Sequence, residues 1–172
     1  VIKIDKYNLS SPEIKDTNLI DFVFLDQQRY QLSEGKYTLS LNISDKNNTD
    51  EEINHKQEIT IKTINNGFSD IQLLESYKKT IEKNILSKGG YDLVPFISNL
   101  YNNANTKLSC YFEYYSDNNE EVLIQSSIIS QSTQKIVNEL IKRKKCNSKF
   151  DAIINTFPIQ NLASGSYYLK IE

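Results

Sequence analysis

Hydrophobic and polar residues alternate with a period of two through Tyr37, Leu39, Leu41 and Ile43, while Thr38, Ser40, Asn42 and Ser44 occupy the other parity. Successive side chains of a strand point to opposite faces, so this pattern predicts a half-buried strand. Ser33-Glu34-Gly35 forms its opening turn. Its exit is Asp45-Lys46-Asn47-Asn48, where Asn and Asp bond nearby backbone and accept left-handed geometry. A second strand around 58–63 puts Ile59 and Ile61 on one face, giving an antiparallel hairpin with a long polar connection. Further on, Leu108, Cys110, Phe112 and Tyr114 alternate with Ser109, Tyr111, Glu113 and Tyr115. After the turn 116–121, Val122, Ile124, Ser126 and Ile128 form another such stripe, so a second hairpin is predicted. Residues 136–141 carry apolar side chains at i, i+1, i+4 and i+5, a spacing that favours helix.

One device occurs twice. Leu32-x-x-Gly35-x-Tyr37-x-Leu39-x-Leu41 is matched position by position by Leu162-x-x-Gly165-x-Tyr167-x-Leu169-x-Ile171. Its form is that of the tyrosine corner of immunoglobulin-like sandwiches, in which a Tyr near the start of the sixth strand bonds back to the preceding turn. Two copies predict an all-β chain of two tandem immunoglobulin-like β-sandwich units, with structural roles for Gly35, Tyr37, Gly165 and Tyr167. Where antibody domains carry a Cys two residues after the corner, this chain has Leu39 and Leu169, so neither unit is expected to hold the inter-sheet disulfide.

The expected division is a first unit over 1–75, a linker over 76–90 ending in Lys88-Gly89-Gly90, and a second unit over 91–172. Ile81 and Ile85 would allow a short helical turn in the linker. Both units are expected to be incomplete, the first lacking its N-terminal strands and the second its last strand. The absence of Met, even at position 1, likewise reads as a processed or partial chain. The final strand should then be an unpaired edge.

Composition narrows the functions. Lys and Arg total 20 against 22 Asp and Glu in 172 residues, so no bulk positive field gathers phosphates and nucleic acid is not an expected partner. No apolar run reaches the eighteen or so residues of a membrane-spanning helix, and the start does not resemble a signal peptide. The basic run Lys142-Arg143-Lys144-Lys145 lacks interleaved aromatics and reads as a solvated strand end. His55, the single histidine, lies in the polar connection with no nucleophile or orienting carboxylate beside it, so no triad or multi-histidine metal site is predicted. The oxygen-rich stretches 45–50 and 117–121 lack the Gly and the bidentate Glu of a calcium loop, and ordinary turn chemistry accounts for both. Cys110 shares an inward stripe with Leu108 and Phe112, the usual place of a buried free thiol; Cys146 follows the basic run, at the exposed end, and no bridge between the two is expected. No catalytic residue, cofactor or metal is predicted, and the chain is expected not to be an enzyme. Tyr111, Tyr115 and Tyr168 fall opposite the core stripes. They are candidates for a partner surface or, in an alternative reading, for a carbohydrate-stacking platform.

Three segments carry a resemblance: Phe68 to Lys79; Gly90-Tyr91-Asp92-Leu93-Val94-Pro95-Phe96 with Asn99-Leu100-Tyr101; and Leu162-Ala163-Ser164-Gly165-Ser166-Tyr167-Tyr168-Leu169. In that order and spacing they resemble the β-rich middle region of the GWxTD-domain proteins of Bacteroidota-type cell envelopes. The resemblance implies a lipoprotein-type leader upstream, the eponymous domain downstream, and an exported envelope protein of which this is the central part. With the lack of catalytic groups and the unpaired edges, it leads to the expectation of an accessory subunit of an outer-membrane protein assembly, with membrane contact only through a lipid anchor outside this chain. The Gly-Trp-x-Thr-Asp motif is absent and the chain has no Trp, so nothing that domain does is assigned to these residues. The resemblance also implies strand rather than helix near 136–142, where a sandwich needs its sheet position filled.

Overall fold

The computed structural model describes residues 2–10, 13, 25–48, 52–98, 100–118, 120–146 and 149–172. The chain divides into Val1–Tyr30 and Gln31–Glu172. Among the described residues the first unit has neither helix nor strand. The Tyr7 hydroxyl donates to Asp26 Oδ2 at 2.6 Å, tying residues 19 apart. Within 31–172 the described residues form eleven strands and no helix, so the chain is all-β as predicted.

Strands β1 (Gly35–Ser44) and β2 (Glu52–Ile61) make an antiparallel ribbon, with Tyr37 opposite Ile59 and Ile43 opposite Ile53. Its pairing register continues to Ser44 and Glu52, so β2 starts before the expected residue 58 and His55 sits on the strand, opposite Leu41, rather than in the connection. The ribbon is a two-stranded sheet, and Leu39, Leu41, Ile43 and Ile53 are exposed on it.

The remaining strands build an immunoglobulin-like sandwich. They are β3 (Gly67–Phe68), β4 (Gln72–Lys79), β5 (Ser87–Lys88), β6 (Tyr91–Pro95), β7 (Lys107–Tyr115), β8 (Glu120–Ser130), β9 (Ile136–Cys146), β10 (Phe150–Pro158) and β11 (Tyr167–Ile171). One sheet runs β10-β7-β4-β6-β5, with β3 also on β7; the other runs β11-β8-β9. The chain crosses between sheets from β7 to β8, returns from β9 to β10, and comes back to β8 as β11, the Greek-key connectivity of such sandwiches. Both predicted stripes face inward. Cys110 and Phe112 of β7, Ile124 and Ile128 of β8, and Ile153 and Phe157 of β10 form the core, and Leu169 and Ile171 of β11 pack against it. Asn155 crosses the core polar, its Nδ2 donating to Ser126 Oγ at 2.6 Å and tying the two sheets.

Two expectations change here, and one choice between alternatives is decided. Residues 76–79 are not linker but the second half of β4, pairing with β6, and 67–75 belong to the same sandwich as 91–172. A bulge between Leu74 and Ser76 lets β4 leave β7 for β6, so one strand serves two neighbours. Ile81 lies in an open turn rather than a helix, 93% exposed, because the turn is held by polar groups: Thr80 Oγ1 and Ser87 Oγ each donate to Asp92 at 2.7 Å. Residues 136–146 are strand, as the resemblance implies, and not the helix that their spacing favours. Ile129 pairs with Ile136 while Ile128 pairs with Asn138, so Val137 is the extra residue of a bulge. That bulge produces the adjacent apolar pair that imitates helical spacing.

Candidate docking surface

Both corner tyrosines make the predicted bond. Tyr37 donates its hydroxyl to the Ser33 carbonyl at 2.8 Å and Tyr167 to the Ala163 carbonyl at 2.6 Å, each four residues back. The rings are half-buried. The glycines differ: a Cβ on Gly35 would press the Tyr37 ring at 3.4 Å, whereas one on Gly165 would stay 3.9 Å from Tyr167, in ordinary contact.

The three candidate surface tyrosines do not form one surface. Tyr111 is 1% exposed, because β5 and β6 cover the outer side of β7; Leu74, Leu93 and Tyr111 form a second buried cluster with Tyr91, Ala152 and Ile154 around it. Tyr115 is half-buried against Phe150. Between these tyrosines lies Glu113, a buried carboxylate that accepts from the Tyr111 and Tyr115 hydroxyls, each at 2.5 Å, and meets Lys88 Nζ at 3.4 Å. Burial alone would raise the Glu113 pKa; the two hydroxyls and the Lys88 ammonium outweigh it and hold the carboxyl below its ordinary value. Burial, reinforced by Glu113, pushes the Tyr115 phenol up to about 12. A partner surface through Tyr111 is therefore ruled out, and Tyr115 serves the internal network. The signal for that network is in the sequence as Tyr111-x-Glu113-x-Tyr115, all on one face, but nothing there announces the covering hairpin.

Tyr168 is 53% exposed. It lies opposite Ile129 on the outward face of β11-β8-β9, which also presents Leu123, Ile136 and Ile141 to solvent. Charged and polar pairs are set among these apolar side chains: Arg143 with Glu121 at 3.5 Å, Gln125 with Glu139 at 2.5 Å and Lys170 with Glu172 at 2.7 Å. Of these side chains, Tyr168 and Arg143 are of the types enriched at protein interfaces.

The basic run is divided by strand alternation. Lys142 Nζ donates to the Ile154 carbonyl at 2.9 Å and Lys144 pairs with Asp151 at 3.2 Å, so these two tie β9 to β10 across the sandwich. Arg143 takes the outward face. Both cysteines are free and buried. For Cys146 this overturns the expected exposure: it ends β9 opposite Glu120, and burial, with Asp151 and Glu120 nearby, raises its pKa. Burial pushes Cys110 up to about 11.

The acidic turns use their oxygens internally. Asp45 Oδ1 accepts from the Asn47 amide at 2.8 Å, and Glu120 Oε1 from Ser116 Oγ at 2.6 Å and Tyr114 at 3.1 Å. Residues 49–51 and 119 lie outside the described ones. Among the described residues no three His, Cys, Asp or Glu side chains are placed to hold a metal, and no helix is long and apolar enough to cross a membrane. No protein-family model, curated protein or solved structure matches the chain.

Proposed function

We propose that this chain is a non-catalytic interaction module that docks onto protein partners in the cell envelope, as an accessory lipoprotein subunit of an outer-membrane assembly. The supporting observation is the outward face of β11-β8-β9, where Tyr168, Leu123, Ile136 and Ile141 stand exposed among charged side chains. The envelope setting rests on the GWxTD resemblance alone. Carbohydrate stacking loses support from the burial of Tyr111 and the internal engagement of Tyr115, which leave Tyr168 without its intended companions.

A photo-reactive phenylalanine analogue at Tyr168, expressed in the source cells, tests the reading. Expected is a cross-linked adduct with a discrete outer-membrane protein, abolished by Leu123→Glu with Ile141→Glu. Recovery in the soluble cytosolic fraction with no adduct would overturn it, and so would adducts confined to glycans.

A further inference from the structure

The ribbon has an edge that no other strand meets: β2 pairs with β1 alone among the described residues. In an immunoglobulin-like sheet the corner strand F lies between C, earlier in the chain, and G, which follows it. β1 carries the corner and β2 follows it, so β2 holds the outer place, and residues ahead of β1 have the other edge of β1 to fill. An open edge of ten residues invites another strand, and proteins guard such edges with charge, lysine above all. β2 carries Lys56, but also Glu58 two residues on, on the same face. Both are exposed, and among the described residues neither has an ion-pair partner.

These charges are self-complementary. When two copies of β2 lie antiparallel about a two-fold axis at Gln57, Lys56 of each stands opposite Glu58 of the other, Ile53 opposite Ile61 and Asn54 opposite Thr60. Neighbouring centres fail. A two-fold at Lys56 or Glu58 sets like charges face to face, one at His55 sets Glu52 against Glu58, and one at Ile59 sets Lys56 against Lys62. A centre between two residues turns the apolar face of one ribbon to the polar side of the other. Among these centres only Gln57 brings charges and faces into agreement. Glu52 and Lys62 also come opposite there, but Glu52 already accepts from Asn42 Nδ2 at 2.5 Å, so Lys56 and Glu58 set the register.

Two strands alone are marginal in water, and three or more with an apolar face are needed for independent stability. Pairing at Gln57 gives the strand order β1-β2-β2-β1 and brings Leu39, Leu41, Ile43 and Ile53 of both copies onto one face. We propose that the outer edge of β2 is a self-association site, and that its occupant is β2 of a second copy in the antiparallel register centred on Gln57. A contact of this size makes a weak, reversible dimer. It is independent of the docking face on β11-β8-β9.

Sedimentation velocity of the intact chain over a concentration series tests the proposal. Expected is a monomer–dimer equilibrium, with β2 amides gaining exchange protection as concentration rises. Lys56→Glu and Glu58→Lys each turn two opposite-charge pairs into two like-charge pairs and should weaken the dimer about fivefold or more. Mixed together, the two variants should associate again, because each meets its opposite charge; a misfolded variant would not be repaired by mixing. Gln57→Cys would carry the only exposed thiol, Cys110 and Cys146 being buried. It should close a disulfide between copies under a mild oxidant, since directly opposite Cα atoms lie about 4.5–5.5 Å apart. Thr38→Cys, opposite Glu58 on β1, should not. A chain that stays monomeric up to about 1 mM, or a Gln57→Cys that cross-links no faster than Thr38→Cys, would overturn the proposal. A dimer indifferent to both charge substitutions, or one that mixing fails to restore, would do the same. Protection of β2 that does not depend on concentration would overturn it in favour of a segment of the same chain, and cross-linking of Gln57→Cys in the source cells to a different protein in favour of that partner. The Tyr168 cross-link is read separately, so the docking reading survives or fails on its own.

Discussion

At the residue scale the tyrosine corner is the feature most fully readable in advance, because it is local: a Tyr, a turn and a carbonyl four residues back need no long-range information. Tyr37→Phe and Tyr167→Phe should each lower stability by about 0.5–1.5 kcal/mol, the net worth of one such bond, measured by urea unfolding. Gly35→Ala should cost more than Gly165→Ala, which leaves ordinary clearance to the ring and should barely move the midpoint. Glu113 is the opposite case. Its identity and its parity with Tyr111 and Tyr115 are visible in the sequence, but its burial comes from the Lys88 turn, whose hairpin reaches β7 through the pairing of β6 with β4 and of β4 with the distant β7. Because its folded pKa lies below its ordinary value, the carboxylate stabilises the fold above the ordinary Glu range, and that contribution is lost as pH falls through the lower, folded-state value. Thermal melts from pH 7 downward should therefore show an acid-induced loss that is smaller in Glu113→Gln, which in turn starts about 1–3 kcal/mol less stable at neutral pH, where the charged bonds are gone.

Among the elements, alternating strands were legible and interrupted ones were not. The stripes of β7 and β8 lie where period two puts them. In β9 the bulge at Val137 breaks the period, so the apolar pairs at 136–137 and 140–141 mimic a helix although only Leu140 packs on the core and Ile141 faces solvent. In β4 the switch of partner at Leu74/Ser76 disguises a strand as the start of a linker. The Gly89-Gly90 turn between β5 and β6 carries the strain of folding that hairpin over β7. Both glycines have positive φ, 56° and 85°. A Cβ at Gly89 would collide with the Tyr111 hydroxyl and the Ala152 methyl, while one at Gly90 would meet open space. Gly90→Ala should therefore cost about 1–2 kcal/mol, the backbone penalty alone. Gly89→Ala should add an overpacking cost of about 1–3 kcal/mol. Equal midpoint shifts for the two variants in urea would show that Tyr111 and Ala152 yield freely and that the second cluster is not tightly packed.

For the whole molecule, the decisive contrast is between a ribbon and a sandwich joined by residues 62–66. Both carry the same corner motif, and the sequence alone presents them as equal units. They differ in what faces the apolar stripe: Leu169 and Ile171, beside Ile124 and Ile128 of their own sheet, belong to a core closed by Phe112, Ile153 and Phe157 of the opposing sheet, while Leu39, Leu41 and Ile43 stay exposed on a two-stranded ribbon. Two strands without a covering layer are marginal in water, since backbone ordering costs roughly 1–2 kcal/mol per residue and little apolar area is removed to offset it. Stability should accordingly be divided along the chain. In native-state hydrogen exchange, the amides of Gly35–Ser44 and Glu52–Ile61 should open with a free energy several kcal/mol below that of the central strands β7 and β8, whose amides should exchange only through unfolding of the entire sandwich. The corner variants separate the two parts further: Tyr37→Phe should speed exchange in the ribbon and leave β7 and β8 unchanged, whereas Tyr167→Phe should accelerate both sheets of the sandwich. Uniform protection across ribbon and sandwich would mean that something covers the Leu39, Leu41 and Ile43 face in solution, and that the ribbon folds as one cooperative body with the rest of the chain.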